Sequence, residues 1–223
     1  MPHNPTGSGI LDSALAGGIP SGSAFLAQGE EGAGATEFAL TLLRSTTTLG
    51  QGHRARIASA LRSSVRIQRE LGDLFEDEKM SIEIVSFAGG DVHDGCTDAL
   101  RGLSEGDVLV LESADSLVNG GGETGLIKLW NKVANAAADQ GVSVIMLHAP
   151  GTLAHATEAA LAEGSDGVLS FRWLDSGSAR RRVLEVSKIR GLAPILDGDQ
   201  VPLFEVSLHR GIGFAISPVT SVL

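Results

Sequence analysis

Phe25-Leu-Ala-Gln-Gly-Glu-Glu-Gly-Ala-Gly-Ala-Thr-Glu-Phe-Ala-Leu-Thr-Leu-Leu43 decides the reading of this chain. A short apolar run, a glycine-rich turn and the first turns of an amphipathic helix follow one another. The spacing Gly29-x-x-x-x-Gly34-x-Thr36 is that of a nucleoside-triphosphate phosphate loop, G-x-x-x-x-G-K-[ST], with one departure. Where the loop lysine is expected, the chain has Ala35.

Two chemistries separate at this point. Backbone N–H groups and a helix N-terminus cradle phosphates without help from side chains, and Gly29, Gly32 and Gly34 can supply that part. Thr36 offers a hydroxyl to a magnesium ion. The ammonium that neutralises the outer phosphates is missing, and Glu30 and Glu31 add carboxylates beside the loop. Two unit charges about 4 Å apart interact by roughly 4 kcal/mol at an effective dielectric near 20, so the change of sign matters. The same glycines also suit a strand–turn–helix junction that keeps them for packing alone. The cofactor expectation is therefore ATP or ADP with magnesium, bound weakly or not at all.

Composition sets the frame around the loop. A chain of 223 residues buries a full core as one domain, and 43% hydrophobic content with a mean hydropathy of +0.15 marks a globular protein. The formal charge is −10, from 27 acidic against 17 basic residues, and the lysines are Lys79, Lys128, Lys132 and Lys188 alone. Acidic, lysine-poor and free of tyrosine, the chain has the composition of a cytoplasmic protein from a salt-loving organism, or of an acidic protein from a GC-rich genome. The balance argues against nonspecific nucleic-acid binding, which needs concentrated Lys and Arg. Cys96 is the single cysteine, which excludes an internal disulfide. The N-terminal residues lack the basic and apolar regions of a signal peptide, and no apolar run reaches the roughly 20 residues that span a bilayer.

Around the loop the pattern alternates strands and helices. Residues 1–24 form a lead-in, residues 25–165 an α/β core and residues 166–216 a β-rich C-terminal segment. A mostly parallel central sheet flanked by helices, with antiparallel C-terminal strands, follows from this order. Strands are expected near residues 53–60, 81–87, 106–117, 141–148, 167–173, 181–188 and 203–208. Helices are expected near 34–48, 63–75, 97–103, 126–139 and 153–163, with loops at 88–95 and 119–125 and a frayed tail from Ser217. The stretch Gly106–Leu117 reads as a continuous apolar strand with a carboxylate toward its C-terminal end, as a central parallel strand buried on both faces would be. Glu112 stands where the second nucleotide motif places an Asp that holds the magnesium shell; Asp115 is the nearest alternative. His93 with Asp91 and Asp94 could be read as a metal site, and more simply as a surface loop.

The lead-in carries a resemblance. Thr6, Gly7, Leu11, Asp12, Leu15, Gly17, Gly18, Ile19, Pro20, Gly22 and Ser23, followed by a strand and a phosphate loop, resemble the opening of KaiC-type members of the RecA superfamily. Lys188-x-Arg190-Gly191 and the stretch Phe204 to Phe214 resemble that family's closing segments, so the resemblance spans Thr6 to about Phe214. It implies a RecA-like P-loop fold and, for Lys188 and Arg190, contact with phosphates bound by a neighbouring subunit of a ring. A surface strand pair meeting Asp197 and Asp199 is the other reading of those two cations. The resemblance also implies a sensor position facing the γ-phosphate at His148. It implies adjacent glutamates at the end of the second core strand, one orienting the attacking water. This chain reads Ser59-Ala60-Leu61-Arg62 there.

Three catalytic elements are thus altered together: Ala35, the Ala60–Leu61 pair and Glu112. The expectation is a pseudo-ATPase with no catalytic residue of its own, acting as a regulatory, signalling or assembly module. It would contact a protein partner, an active paralogue or further copies of itself. The alternative is a slow or trans-activated ATPase, with Glu37 or Asp115 as base and a neighbour's cation replacing the lysine. A DNA-associated accessory role is a third class, disfavoured by the charge.

Overall fold

A computed structural model describes residues 2–49, 52–76, 80–118, 121–176, 179–190 and 203–219. The elements in chain order are β1 (His3–Asn4), α1 (Gly9–Ala14), β2 (Ile19–Pro20), β3 (Ala24–Gly29), α2 (Ala35–Leu49), β4 (Ala55–Ser59) and α3 (Ser64–Phe75). There follow β5 (Ile82–Ser86), α4 (Val92–Leu100), β6 (Val108–Glu112), α5 (Ala114–Leu117), α6 (Gly122–Gln140), β7 (Ser143–His148) and α7 (His155–Gly164). The chain closes with β8 (Gly167–Ser176), β9 (Ala179–Ile189), β10 (Leu203–His209) and β11 (Gly213–Pro218).

Nine strands form one sheet in the order β11-β10-β9-β8-β3-β7-β6-β4-β5. From β8 to β5 every pairing is parallel, whereas β8, β9, β10 and β11 pair antiparallel. This is the α/β architecture, with antiparallel C-terminal strands, that the sequence implies. Strands β4, β6 and β7 are buried at every position, which explains the apolar runs of β6 and β7.

The sheet separates two cores. One packs α1, α2 and α3 with the inner face of β9, β10 and β11; the other packs α4, α5, α6 and α7. Under the glycine loop, Phe38 of α2, Phe171 of β8 and Phe214 of β11 have ring centroids 5.4 to 5.9 Å apart, two of the pairs being edge-on. That three-ring contact fixes the start of α2 against the C-terminal strands.

The lead-in is built from the residues that carry the resemblance. The Thr6 N–H and hydroxyl both donate to Oδ1 of Asp12 at 2.7 Å, and Gly18 has a φ of +114°, where a Cβ would stand 2.3 Å from the Asn4 carbonyl oxygen. Differences from the sequence expectation are local. Helix α4 begins at Val92 rather than Thr97, because the Asp91 carboxylate caps it by accepting the Asp94 N–H. The expected strand 106–117 stops at Glu112, and Ala114–Leu117 turn into α5 behind the Ser113–Ser116 capping box. The tail forms β11 up to Pro218, paired with β10. Part of the 119–125 loop is the first turn of α6, and residues 119–120 lie outside the described residues. Among the described residues no helix is long and apolar enough to cross a membrane.

Candidate functional site

The carboxyl ends of β3, β4, β6 and β7 lie along one edge of the sheet, where ligands bind in open α/β folds. The phosphate-loop segment follows β3, flanked by β7 and β8. Its turn is tight: the Ala33 N–H donates to the Glu30 carbonyl at 2.9 Å, and the Glu30 N–H to the Phe171 carbonyl at 3.0 Å. Steric crowding alone accounts for two of the glycines. A Cβ on Gly29 would stand 2.6 Å from the Ala35 Cβ. Gly34 has a φ of +111°, with a Cβ position 3.2 Å from Val206. Gly32 has a φ of +70° in open surroundings. Gly34, Ala35 and Thr36 open α2, and their N–H groups make no protein hydrogen bond among the described residues. They and the half-buried Thr36 hydroxyl can still meet an anion and its counter-ion.

The β8–β9 hairpin holds this loop from the side. Trp173 Nε1 donates to the Glu31 carbonyl at 3.0 Å, and Arg182 Nε donates to the Gly32 carbonyl at 2.7 Å. The guanidiniums of Arg180 and Arg182 lie 4.9 and 4.5 Å from the Trp173 ring centroid. Glu30 turns toward the same hairpin: its carboxylate accepts the Trp173 N–H at 3.4 Å and sits 3.9 Å from Arg180. The Glu30 carboxylate is thus held on the hairpin side of the loop, near Arg180. Sequence reasoning missed Trp173, Arg180 and Arg182. Their signal was the run Arg180-Arg181-Arg182 in an otherwise acidic chain.

The strand ends beyond β7 hold a different arrangement. Glu112 is buried at the end of β6, followed by a cis peptide bond to Ser113. Arg62 Nε donates to Glu112 Oε2 at 2.7 Å, and a second guanidinium nitrogen bonds Oε1, so the pair is bidentate. The same guanidinium also bonds Glu70 of α3. Ser59, in register with Glu112, accepts the N–H groups of Leu61 and Arg62 on its hydroxyl. Leu61 is 65% exposed, and Val65 is similarly open.

At the end of β7, His148 is buried between two carboxylates, Glu158 of α7 and Asp115 of α5. Lys188 and Arg190 lie elsewhere. Lys188 Nζ donates to the carbonyls of Ala162 and Glu163 at 2.8 and 2.9 Å, and Arg190 donates to the Glu163 carbonyl at 2.9 Å. Both therefore satisfy the C-terminus of α7, where cations are favoured. Lys188 pairs with Val168 near the start of β8, three residues before Phe171, which pairs with Gly29. They do not reach the chain's own loop. Asp197 and Asp199 lie outside the described residues. Burial leads the causes that lower the Lys188 pKa, with Arg190 adding to it. Asp91 is the cap of α4, and no group of three or more His, Cys, Asp or Glu side chains is placed to hold a metal among the described residues.

An Mg·ATP complex would need a cation over its outer phosphates and an available carboxylate for its metal. The backbone cradle fits that group; Ala35 and the Arg62-bound Glu112 do not.

Comparison with known proteins agrees with the geometry. Over 97% of this chain and 99% of its own, a KaiC-like protein, PH0186, from the hyperthermophilic archaeon Pyrococcus horikoshii OT3 is similar at a TM-score of 0.77 and 19% identity. The flagellar accessory protein FlaH from Methanocaldococcus jannaschii is similar at a TM-score of 0.73 and 16% identity, over 93% of this chain and 95% of that one. At these identities the likeness establishes the fold, which is RecA-like. Among curated proteins none matches the sequence. The profile described as a family of unknown function (DUF7125) matches residues 3–203, and the chain belongs to that family.

Proposed function

We propose that this chain is a pseudo-ATPase: a KaiC-like, RecA-fold module that binds nucleotide weakly or not at all and works through protein contacts. The observation that carries the reading is the Arg62–Glu112 pair. The carboxylate in the metal-holding place is buried and bidentately bonded to an arginine supplied by the segment that should carry the catalytic glutamate. Phosphoryl transfer depends on positioned charge, and here those charges face each other instead of a ligand. Exposed Leu61 and Val65 beside them support a protein partner at this edge, whether an active paralogue or another copy of this chain. We place the module in the cytoplasm of a salt-loving archaeon, with a regulatory, signalling or assembly role.

One observation favours a second reading, a slow or trans-activated ATPase. Arg182 touches the glycine loop and has no carboxylate partner among the described residues, so it is a relocated cation for that loop. Magnesium-dependent ATP hydrolysis separates the two. The pseudo-ATPase reading expects turnover indistinguishable from a Thr36→Ala control, alone and at high protein concentration. Turnover above that control, lost on Arg182→Ala, would establish the second reading and overturn the first.

A further inference from the structure

The sheet edge also holds a titratable cluster centred on His148. His148 ends β7 with its side chain 0% exposed. Its Nε2 lies 3.0 Å from Oε1 of Glu158. Its Nδ1 lies 3.5 Å from Oδ1 of Asp115 and has no hydrogen-bond partner. A neutral imidazole has one N–H and one lone pair. With the proton on Nε2, the Nδ1 lone pair faces the Asp115 carboxylate; with it on Nδ1, the Nε2 lone pair faces Glu158. Each neutral tautomer sets a lone pair against an anion in a buried place. A proton on both nitrogens removes the conflict. A metal ion would need three or four donors, and among the described residues no such group of side chains is present.

The same carboxylates hold the turn that follows β7. Glu158 Oε1 also accepts the Gly151 N–H at 2.7 Å, and Oδ1 of Asp115 accepts the Thr152 hydroxyl. The imidazole therefore sits where β7, the 149–154 turn, α5 and α7 meet. On β3, next to the loop, neutral Gln28 pairs with His148 in register. Asp115 from α5 and Glu158 from α7 are the charged groups facing the ring, and neither pairs with a lysine or arginine among the described residues.

We propose that His148 is a proton-operated latch. As imidazolium it bridges Asp115 and Glu158 and fastens the 149–154 turn to α5 and α7; without the second proton the Asp115 side lets go. Burial works to lower the imidazole pKa, but Asp115 and Glu158 more than offset it and hold it raised. Burial works to raise both carboxyls; His148 and Thr152 hold Asp115 low, and the Gly151 N–H and His148 hold Glu158 low. A raised histidine adds stability that is complete below its ordinary value near 6.5 and is lost as pH climbs through the folded value. The lowered carboxyls add stability above their ordinary values near 4, lost as pH falls through their folded values. The latch is closed between about pH 4.5 and 6.5 and opens above that window.

Histidine-labelled nitrogen NMR on the intact chain tests this, with the His148 signals assigned by their loss in His148→Gln. The expected result is a ring protonated on both nitrogens at pH 6, with a midpoint above that of free histidine. Asp115→Asn should lower this midpoint, and the side-chain NMR signals of Thr152, whose hydroxyl donates to Asp115, should shift across it in the wild type. A singly protonated ring at pH 6, or a midpoint that Asp115→Asn leaves in place, would overturn the latch. The wild-type titration decides the first point without any variant, and no nucleotide enters the measurement.

Discussion

At one edge of one sheet, the glycine loop after β3 and the strand ends of β4 and β6 have diverged in opposite ways. The loop has the tight turn, the free helix-start N–H groups and the glycines of a phosphate cradle. The β4 and β6 ends hold an arginine bonded to the buried Glu112 carboxylate, with an exposed leucine beside it. The difference teaches that shape and charge are held by different constraints. Gly29 and Gly34 are required by Ala35, Val206 and a left-handed φ whether or not a phosphate ever binds. Nothing in the packing demands a catalytic carboxylate, so that end is free to become an internal ion pair.

The comparison breaks first at the ion pair. Arg62→Met leaves Glu112 buried without a partner and should cost about 3–5 kcal/mol in chemical denaturation at pH 7. Adding Glu112→Gln to that variant should recover most of the loss, because both charges are then gone. A single-variant cost below about 1 kcal/mol would mean that the pair is not what holds this edge.

The steric account of the loop is sharpened by Gly34→Ala, expected to cost about 1–3 kcal/mol because a non-glycine residue is strained at this φ and its Cβ crowds Val206. A neutral outcome would return the glycine to ligand binding. The smallest effect belongs to the hairpin. Arg182→Ala removes a hydrogen bond and a ring contact, worth about 0.5–1 kcal/mol. Faster amide exchange at Ala33, whose N–H closes the loop turn on the Glu30 carbonyl, with a nearly unchanged melting midpoint, would show that Arg182 orders the loop and little else.

Much of the fold was legible in the residues, because it rests on periodicity and on glycines with steric work to do. The strand–loop–helix of residues 25–43 and the buried runs of β6 and β7 declare themselves by apolar continuity. The extra turn of α4 did not, since its start depends on a single capping contact from Asp91. The site was less legible. Ala35 and Glu112 can be read from the sequence as departures, but Arg62 reaching Glu112 joins residues 50 apart, and Arg182 reaching Gly32 joins residues 150 apart. No spacing rule reports such pairs. Lys188 and Arg190 were legible as cations of a recognised segment, yet their contact with the last carbonyls of α7 depends on how β9 crosses that helix.

Calorimetric titration of magnesium ATP into the wild type and the Ala35→Lys variant, at low salt and at molar potassium chloride, tests the central claim most directly. A silent cradle predicts no heat, or binding no tighter than about millimolar, for the wild type, and at least about tenfold tighter binding for the variant. Micromolar binding by the wild type would contradict the pseudo-ATPase account, and a restored lysine that gains nothing would remove residues 29–36 from consideration as a phosphate loop.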